Sequence, residues 1–201
     1  MTTSETPSFT PFRRVLLLWL LGVTLLGTSG RLAALEPPLP QLLIVALTLA
    51  LIAAGAVLPG FRDWLAHVSL RAVVAFHLTR YVGIAFLVLH ARGQLPAVFA
   101  VPAGWGDILV ATLAIPIVLF LPHPASRPRL LMLWNALGLA DILGVVLTAT
   151  RLSVANPDSM RGLLRFPMSL VPTFLVPLVI ASHLLIFSRL RRLAAAVRTQ
   201  P

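Results

Sequence analysis

Uninterrupted apolar runs divide most of the chain into six segments, separated by short polar or proline- and glycine-bearing connections. A helix that crosses a bilayer needs about 20 mostly apolar residues. Because the runs lack the alternation of barrel strands, they predict helices that satisfy their own backbone groups. The expected fold class is all-α, a polytopic transmembrane helical bundle with six spans. These spans cover about residues 15–35, 40–58, 72–90, 107–121, 130–150 and 170–187.

Composition supports a membrane protein. The chain is 58% hydrophobic and only 11% charged, with a mean hydropathy of +0.94, whereas soluble domains are about 45–50% apolar and about 25% charged. The net charge of +10 does not indicate nucleic-acid binding, because the arginines are scattered between apolar runs, as membrane flanks are. The absence of cysteine excludes disulfides, thiolate metal sites and cysteine nucleophiles.

The arginine distribution predicts the orientation of the bundle. With the N-terminus in the cytoplasm, ten arginines fall on the cytoplasmic side, five on the opposite side and one inside a span. Since cytoplasmic loops carry the excess of positive charge, both termini are expected inside, in a bacterial inner (plasma) membrane. Residues 1–14 are expected to be a disordered cytoplasmic tail and 191–201 a basic one, whose arginines attract anionic lipid. A homo-oligomer or a partner subunit is compatible with the sequence.

Arg80 is the most costly residue in the predicted membrane region. It lies midway along the third span, where an arginine costs about 2.5–3.5 kcal/mol on insertion scales. Asp141 lies at a similar depth in the fifth span and is the expected partner, because a guanidinium can bind a carboxylate through two hydrogen bonds. The pair is interpreted either as a structural lock on the helices or as a substrate- or proton-binding centre.

A second polar layer is expected one turn nearer the cytoplasm. It contains His77, Asn135 and His183. The two histidines are interpreted as neutral hydrogen-bonded imidazoles, as proton carriers, or as axial ligands of a haem b held between two helices. Asp107 is expected to cap the fourth span, after a turn that Gly104 and Gly106 permit. The apolar stretch before them (95–102) is expected to dip into the interface or to form a short re-entrant piece, which would place Asp107 near a cavity mouth, where it attracts a cation.

Two prolines are hinge candidates. Pro116 and Pro177 each follow a threonine by four residues, within spans that run in the same direction. Because proline frees the carbonyl four residues earlier and bends the helix, both spans are expected to kink at similar depth, with Thr112 and Thr173 helping to satisfy the freed groups.

The sequence is compatible with several classes of membrane protein. The leading hypothesis is a small-solute or proton-linked transporter with a polar centre on Arg80 and Asp141. The alternatives are a haem-binding redox protein that uses His77 and His183, and a structural or accessory membrane subunit. An intramembrane enzyme is the last alternative, because the sequence has no catalytic motif and no nucleophile with a matched base. No metal site and no resident cofactor are predicted beyond the haem alternative.

Overall fold

The structure is a computed structural model that describes residues 10–121 and 123–198. Every regular element in this part of the chain is helical. The α-helices are α1 (Thr10–Thr28), α2 (Leu39–Val57), α3 (Pro59–His67), α4 (Leu70–Phe76), α5 (Gly83–Ala91), α6 (Ala97–Phe120), α7 (Pro128–Ala155) and α8 (Val176–Arg198). Three 3-10 segments (His77–Val82, Pro124–Ser126 and Pro157–Leu164) and one π-helical segment (Val171–Leu175) connect or precede them.

Five helical stretches are long and apolar enough to cross a membrane. They are Leu39–Val57, Leu70–Ala91, Ala97–Phe120, Pro128–Ala155 and Val171–Ala195. The second of them joins α4, the 3-10 segment and α5, and the last joins the π-helical segment to most of α8. The predicted spans 40–58, 72–90, 130–150 and 170–187 lie on four of these stretches. The all-helical, multi-pass membrane class that the sequence predicts is confirmed.

The first predicted span, 15–35, is too long. Helix α1 begins at Thr10 and ends at Thr28, and Gly30 follows it with φ +75°. A left-handed glycine just past the last turn is a common helix terminator, and its effect outweighs the apolar character of the residues beyond it. The predicted tail 1–14 is also wrong in part, because residues 10–14 are helical. Residues 1–9 and 199–201 of the two predicted tails lie outside the described residues.

The fourth predicted span, 107–121, begins ten residues too late. Helix α6 starts at Ala97, directly after Pro96, so the apolar stretch that was expected to form an interfacial loop is its first turns. In a bilayer an apolar backbone must satisfy its own hydrogen bonds, and a helix does so within one segment. Asp107 is consequently not a helix cap. It lies in the interior of α6.

The chain forms two compact units. Among the described residues, one contains residues 10–68 together with Leu163–Leu178, and the other contains residues 69–121, 123–162 and 179–198. In the second unit α6 packs against α5 and α7. A Cβ on Gly83 would lie 2.5 Å from the carbonyl oxygen of Gly104. Small residues of this kind let transmembrane helices approach closely, and this contact brings the middle of the Leu70–Ala91 span against α6.

In the first unit a tryptophan satisfies a carbonyl that a proline frees. Pro177 has no N–H to donate to Thr173, and the Trp19 indole nitrogen donates to the Thr173 carbonyl oxygen at 3.1 Å. The Thr173 hydroxyl, which was expected to help there, donates instead to Ser169 O at 2.6 Å. This contact connects α1 to the π-helical segment.

We therefore expect Trp19→Phe to lower the free energy of unfolding by about 1–3 kcal/mol, because it leaves a buried acceptor unsatisfied. Adding Pro177→Ala should recover most of that loss, since the new N–H can bond to Thr173. Thermal unfolding in detergent measures both. Trp105→Phe, at a side chain that is 60% exposed, is the control. Equal losses with and without Pro177→Ala would contradict the account.

Candidate functional site

Arg80 lies where the Leu70–Ala91 span changes its winding. The 3-10 segment His77–Val82 interrupts the α-helix at mid-span. A 3-10 helix has three residues per turn, so residues three apart project from the same side. His77 and Arg80 therefore share one side, and both are fully buried. A 3-10 stretch inside a long helix often marks a functional hinge or strain.

The Arg80 guanidinium has partners on three other helices. Its Nε donates to Asp107 Oδ1 at 2.7 Å, and its Nη2 donates to Asp141 Oδ2. Its Nη1 donates to the Gly138 carbonyl oxygen at 2.9 Å and faces His183 Nε2 at 3.5 Å. The structure thus brings together Arg80 and Asp141, as the sequence predicts, and adds a second carboxylate.

The sequence predicts Asp107 as a helix cap that attracts a cation, and does not predict its contact with Arg80. Asp107 lies ten residues into α6, is 3% exposed and pairs with Arg80. Gly104 and Gly106, which precede it, were interpreted as a turn. In a membrane helix glycines also serve close packing. Extending the apolar run back to Ala97 would have placed Asp107 at mid-span.

The three charged groups do not balance. One guanidinium faces two carboxylates, so the cluster carries a net charge of −1 when all three are ionised. A buried charge without a counter-charge is strongly unfavourable. One further positive charge, either a proton on a carboxylate or a bound cation, would therefore neutralise the cluster. We call Arg80, Asp107 and Asp141 the charge triad.

The His183 imidazole is oriented by Asn135. The Asn135 amide nitrogen donates to the His183 carbonyl oxygen at 3.0 Å, so its Oδ1 remains as the acceptor that faces His183 Nδ1 at 2.8 Å. This arrangement assigns the proton to Nδ1 and the lone pair to Nε2, which faces Arg80. A Cβ on Gly138 would lie 2.5 Å from His183 Cε1, so the small residue there makes room for the ring.

His77 lies beside His183, with their ring centroids 4.3 Å apart. Its Nε2 is 3.1 Å from Ser182 Oγ, and that hydroxyl donates to Val179 O. The contact therefore assigns the His77 proton to Nε2. The Nδ1 atom is buried without a hydrogen-bond partner. Trp134 packs edge-on against the His77 ring, so the predicted second layer is brought together as a packed cluster of rings.

A groove opens beside the charge triad, between α6 and α7. Its volume is about 220 Å³, and Asp141 forms part of its wall. The Asp141 side chain is 23% exposed, whereas that of Asp107 is 4% exposed. A Cβ on Gly106 would overlap Asp141 Oδ1, so this glycine lets the carboxylate lie against α6. Asp141 is thus the accessible carboxylate of the triad.

The two hinge candidates lie at opposite ends of their helices. Pro116 is four residues before the end of α6, whereas Pro177 is the second residue of α8. Each proline therefore lies at a different place along its own helix, because α6 begins ten residues before the predicted span. Near Pro116, the Thr112 hydroxyl contacts the Tyr81 hydroxyl at 3.1 Å.

Charge counting leads to a stability prediction. We expect Asp107→Asn and Asp141→Asn each to be tolerated with a small loss, because one carboxylate remains for Arg80. The double variant should lose about 3–5 kcal/mol, more than the sum of the single losses, because it leaves a buried guanidinium without a counter-charge. Thermal unfolding in detergent measures all three variants. Additive losses would contradict the shared-charge account.

No curated protein and no solved structure matches the chain. Among the described residues, no group of three or more His, Cys, Asp or Glu side chains is placed to hold a metal ion. One family matches, over residues 37–191, a range that contains the whole charge triad and both histidines of the ring cluster. The chain belongs to this family, described as Domain of unknown function (DUF8737).

Proposed function

We propose that the protein is a small membrane transporter, linked to proton or cation movement, with the charge triad as its polar centre. The observation that carries this proposal is that one buried guanidinium pairs with two carboxylates, of which Asp107 is buried and Asp141 is 23% exposed. A centre that needs one extra positive charge has a physical reason to bind and release one. Ionisable groups inside a membrane commonly mark substrate paths and proton relays.

The roles within the triad follow from its contacts. Arg80 already donates to two carboxylates and a carbonyl, so an incoming anion would have to displace one of them. Arg80 therefore acts as a fixed positive charge that positions the carboxylates, and it does not bind an anionic substrate. Asp141 is the exchanging carboxylate, because it borders the groove.

The two sides of the triad differ in access. On α7, Trp134 lies about two turns before Asp141 and belongs to the packed ring cluster. Thr148 lies about two turns after Asp141 and lines the groove. Transport by alternating access requires a site that is open to one side at a time. The groove and the ring cluster fit the open and the closed side of such a site.

The proposal includes the orientation derived from the arginines. Helix α1 would be the sixth span, because its 19 residues rise about 28 Å, close to the hydrocarbon thickness of about 30 Å. Arg13 and Arg14 would then extend toward the lipid headgroups. Both termini would be cytoplasmic at the plasma membrane, and the arginines of α8 would attract anionic lipid.

A structural or accessory role is the second candidate. The contacts of Arg80 favour it, because a guanidinium that donates to α6 and α7 and faces the His183 imidazole of α8 locks those helices together. A lock requires only that the charges balance. It does not require an exposed carboxylate or a groove, so loss of transport with retained folding separates the two functions.

The haem alternative conflicts with the spacing of the rings. A haem held by both histidines would lie between their rings, with one nitrogen of each ring directed at the iron. The ring centroids of His77 and His183 are 4.3 Å apart. Haem binding would therefore require the helices to separate, and a Soret band in the purified protein would support it.

Single-cysteine labelling tests the orientation, since the chain has no cysteine of its own. Gln94→Cys should react with a membrane-impermeant maleimide in intact cells, whereas Ser126→Cys should react only after permeabilisation. A tag fused before the first residue should be protected in the same way as position 126 if α1 spans the membrane. An N-terminal tag that is accessible from outside would contradict the six-span arrangement.

Proton flux into liposomes tests the transport proposal. With an imposed membrane potential that is negative inside and a pH dye in the lumen, the protein should acidify the lumen. Asp141→Asn should reduce the rate of acidification by at least about tenfold, because the exchanging group is lost. Asp158→Asn, at a side chain that is 81% exposed, is the matched control. Folding is checked by thermal unfolding. Equal rates for folded Asp141→Asn and the unchanged protein would contradict the proposal.

A further inference from the structure

We infer that the groove beside Asp141 binds a small protonated amine with an apolar body. The inference deepens the proposed function, because it names the substrate class of the same site. It rests on the volume of the groove, the chemistry of its lining and the net charge of the triad.

The volume limits the occupant to a small molecule. A cavity of about 150 Å³ accommodates benzene, which has six non-hydrogen atoms. Scaled to about 220 Å³, the groove accommodates about nine such atoms. A single proton or a bare metal ion would leave most of this space unused.

The lining is apolar except at two positions. Five residues of α7 line the groove, and all of them except Ala140 follow the spacing of one helix face: Asp141, Gly144, Val145 and Thr148. Phe99, Pro102 and Ala103 face it from α6. The groove therefore offers one carboxylate at one end, one hydroxyl at the other and hydrocarbon between them, which suits a ligand with one charged end.

The charge selects a cation over other ligands. The triad carries a net charge of −1 when ionised, which repels an anion and gives a neutral molecule no advantage. A divalent metal ion prefers six or more oxygen ligands for calcium, or a near-octahedral set for magnesium. Only Asp141 and Thr148 contribute oxygen-bearing side chains to the lining. They are seven residues apart, about 10 Å along the helix, too far to bind one ion together.

Three probes of nearly equal size test this selection. Benzylamine, benzyl alcohol and benzoate share an aromatic body and differ in charge. Calorimetry on the protein in nanodiscs should show benzylamine binding at least about tenfold more tightly than benzyl alcohol, a difference of ~1.4 kcal/mol, and no binding of benzoate. Asp141→Asn should reduce benzylamine affinity to that of the alcohol. Equal affinities for amine and alcohol in the unchanged protein would overturn the inference.

A second variant tests the location without touching the charge triad. A Cβ on Gly144 would meet nothing within 4 Å, so Gly144→Leu should fill the groove without a clash and abolish benzylamine binding. Gly22 also has open space around its Cβ, and Gly22→Leu in α1 is the matched control, which should leave binding unchanged. Benzylamine binding that survives in Gly144→Leu would overturn the inference even where Asp141→Asn fails to fold.

The two proposals fail differently. Proton flux is measured with no amine present, so Asp141-dependent flux without benzylamine binding would overturn only the amine site. Selective benzylamine binding that depends on Asp141, without any flux, would leave the amine site in place and overturn the transport proposal.

Discussion

The fold of the second unit depends on satisfying one guanidinium inside a membrane. An arginine at mid-bilayer costs about 2.5–3.5 kcal/mol even on the lowest scales, and its five N–H groups need acceptors that lipid cannot supply. Helices α6, α7 and α8 each contribute at least one acceptor to Arg80. The positions of these three helices relative to the Leu70–Ala91 span are therefore constrained by hydrogen-bond geometry as well as by packing.

Glycine residues, which have no side chain, allow these helices to converge on Arg80. The contact between Gly83 and Gly104 brings the arginine-bearing span against α6, Gly106 leaves room for the Asp141 carboxylate, and Gly138 leaves room for the His183 ring. Without a strong hydrophobic driving force between helices in lipid, close packing and polar contacts hold a bundle together. Here the same glycines serve close packing and polar contacts, because each of them either lies beside a residue of the polar centre or lets its helix approach a neighbouring helix.

The sequence predicts the features that follow from the length of the apolar runs and from the free-energy cost of a charge inside the membrane. Four of the predicted spans, the depth of Arg80 and its pairing with Asp141 follow from those two rules. Asp107 does not, because the glycines before it have two meanings: in water they indicate a turn, and in lipid they permit packing. With Asp107 predicted as a helix cap, Arg80 has a single carboxylate partner, so the sequence does not predict the excess negative charge of the centre. The early end of α1 depended on the left-handed conformation of Gly30.

The second carboxylate is the feature that a purely structural role explains least well. One carboxylate already neutralises a buried guanidinium, and each additional buried charge costs several kcal/mol. A helix lock would be nearly as stable with an asparagine at one of the two positions, because the amide oxygen could still accept a hydrogen bond from Arg80. Keeping both acids, with one of them at the wall of a groove, leaves the centre one positive charge short. A proton or an ammonium group that binds there would neutralise the excess negative charge.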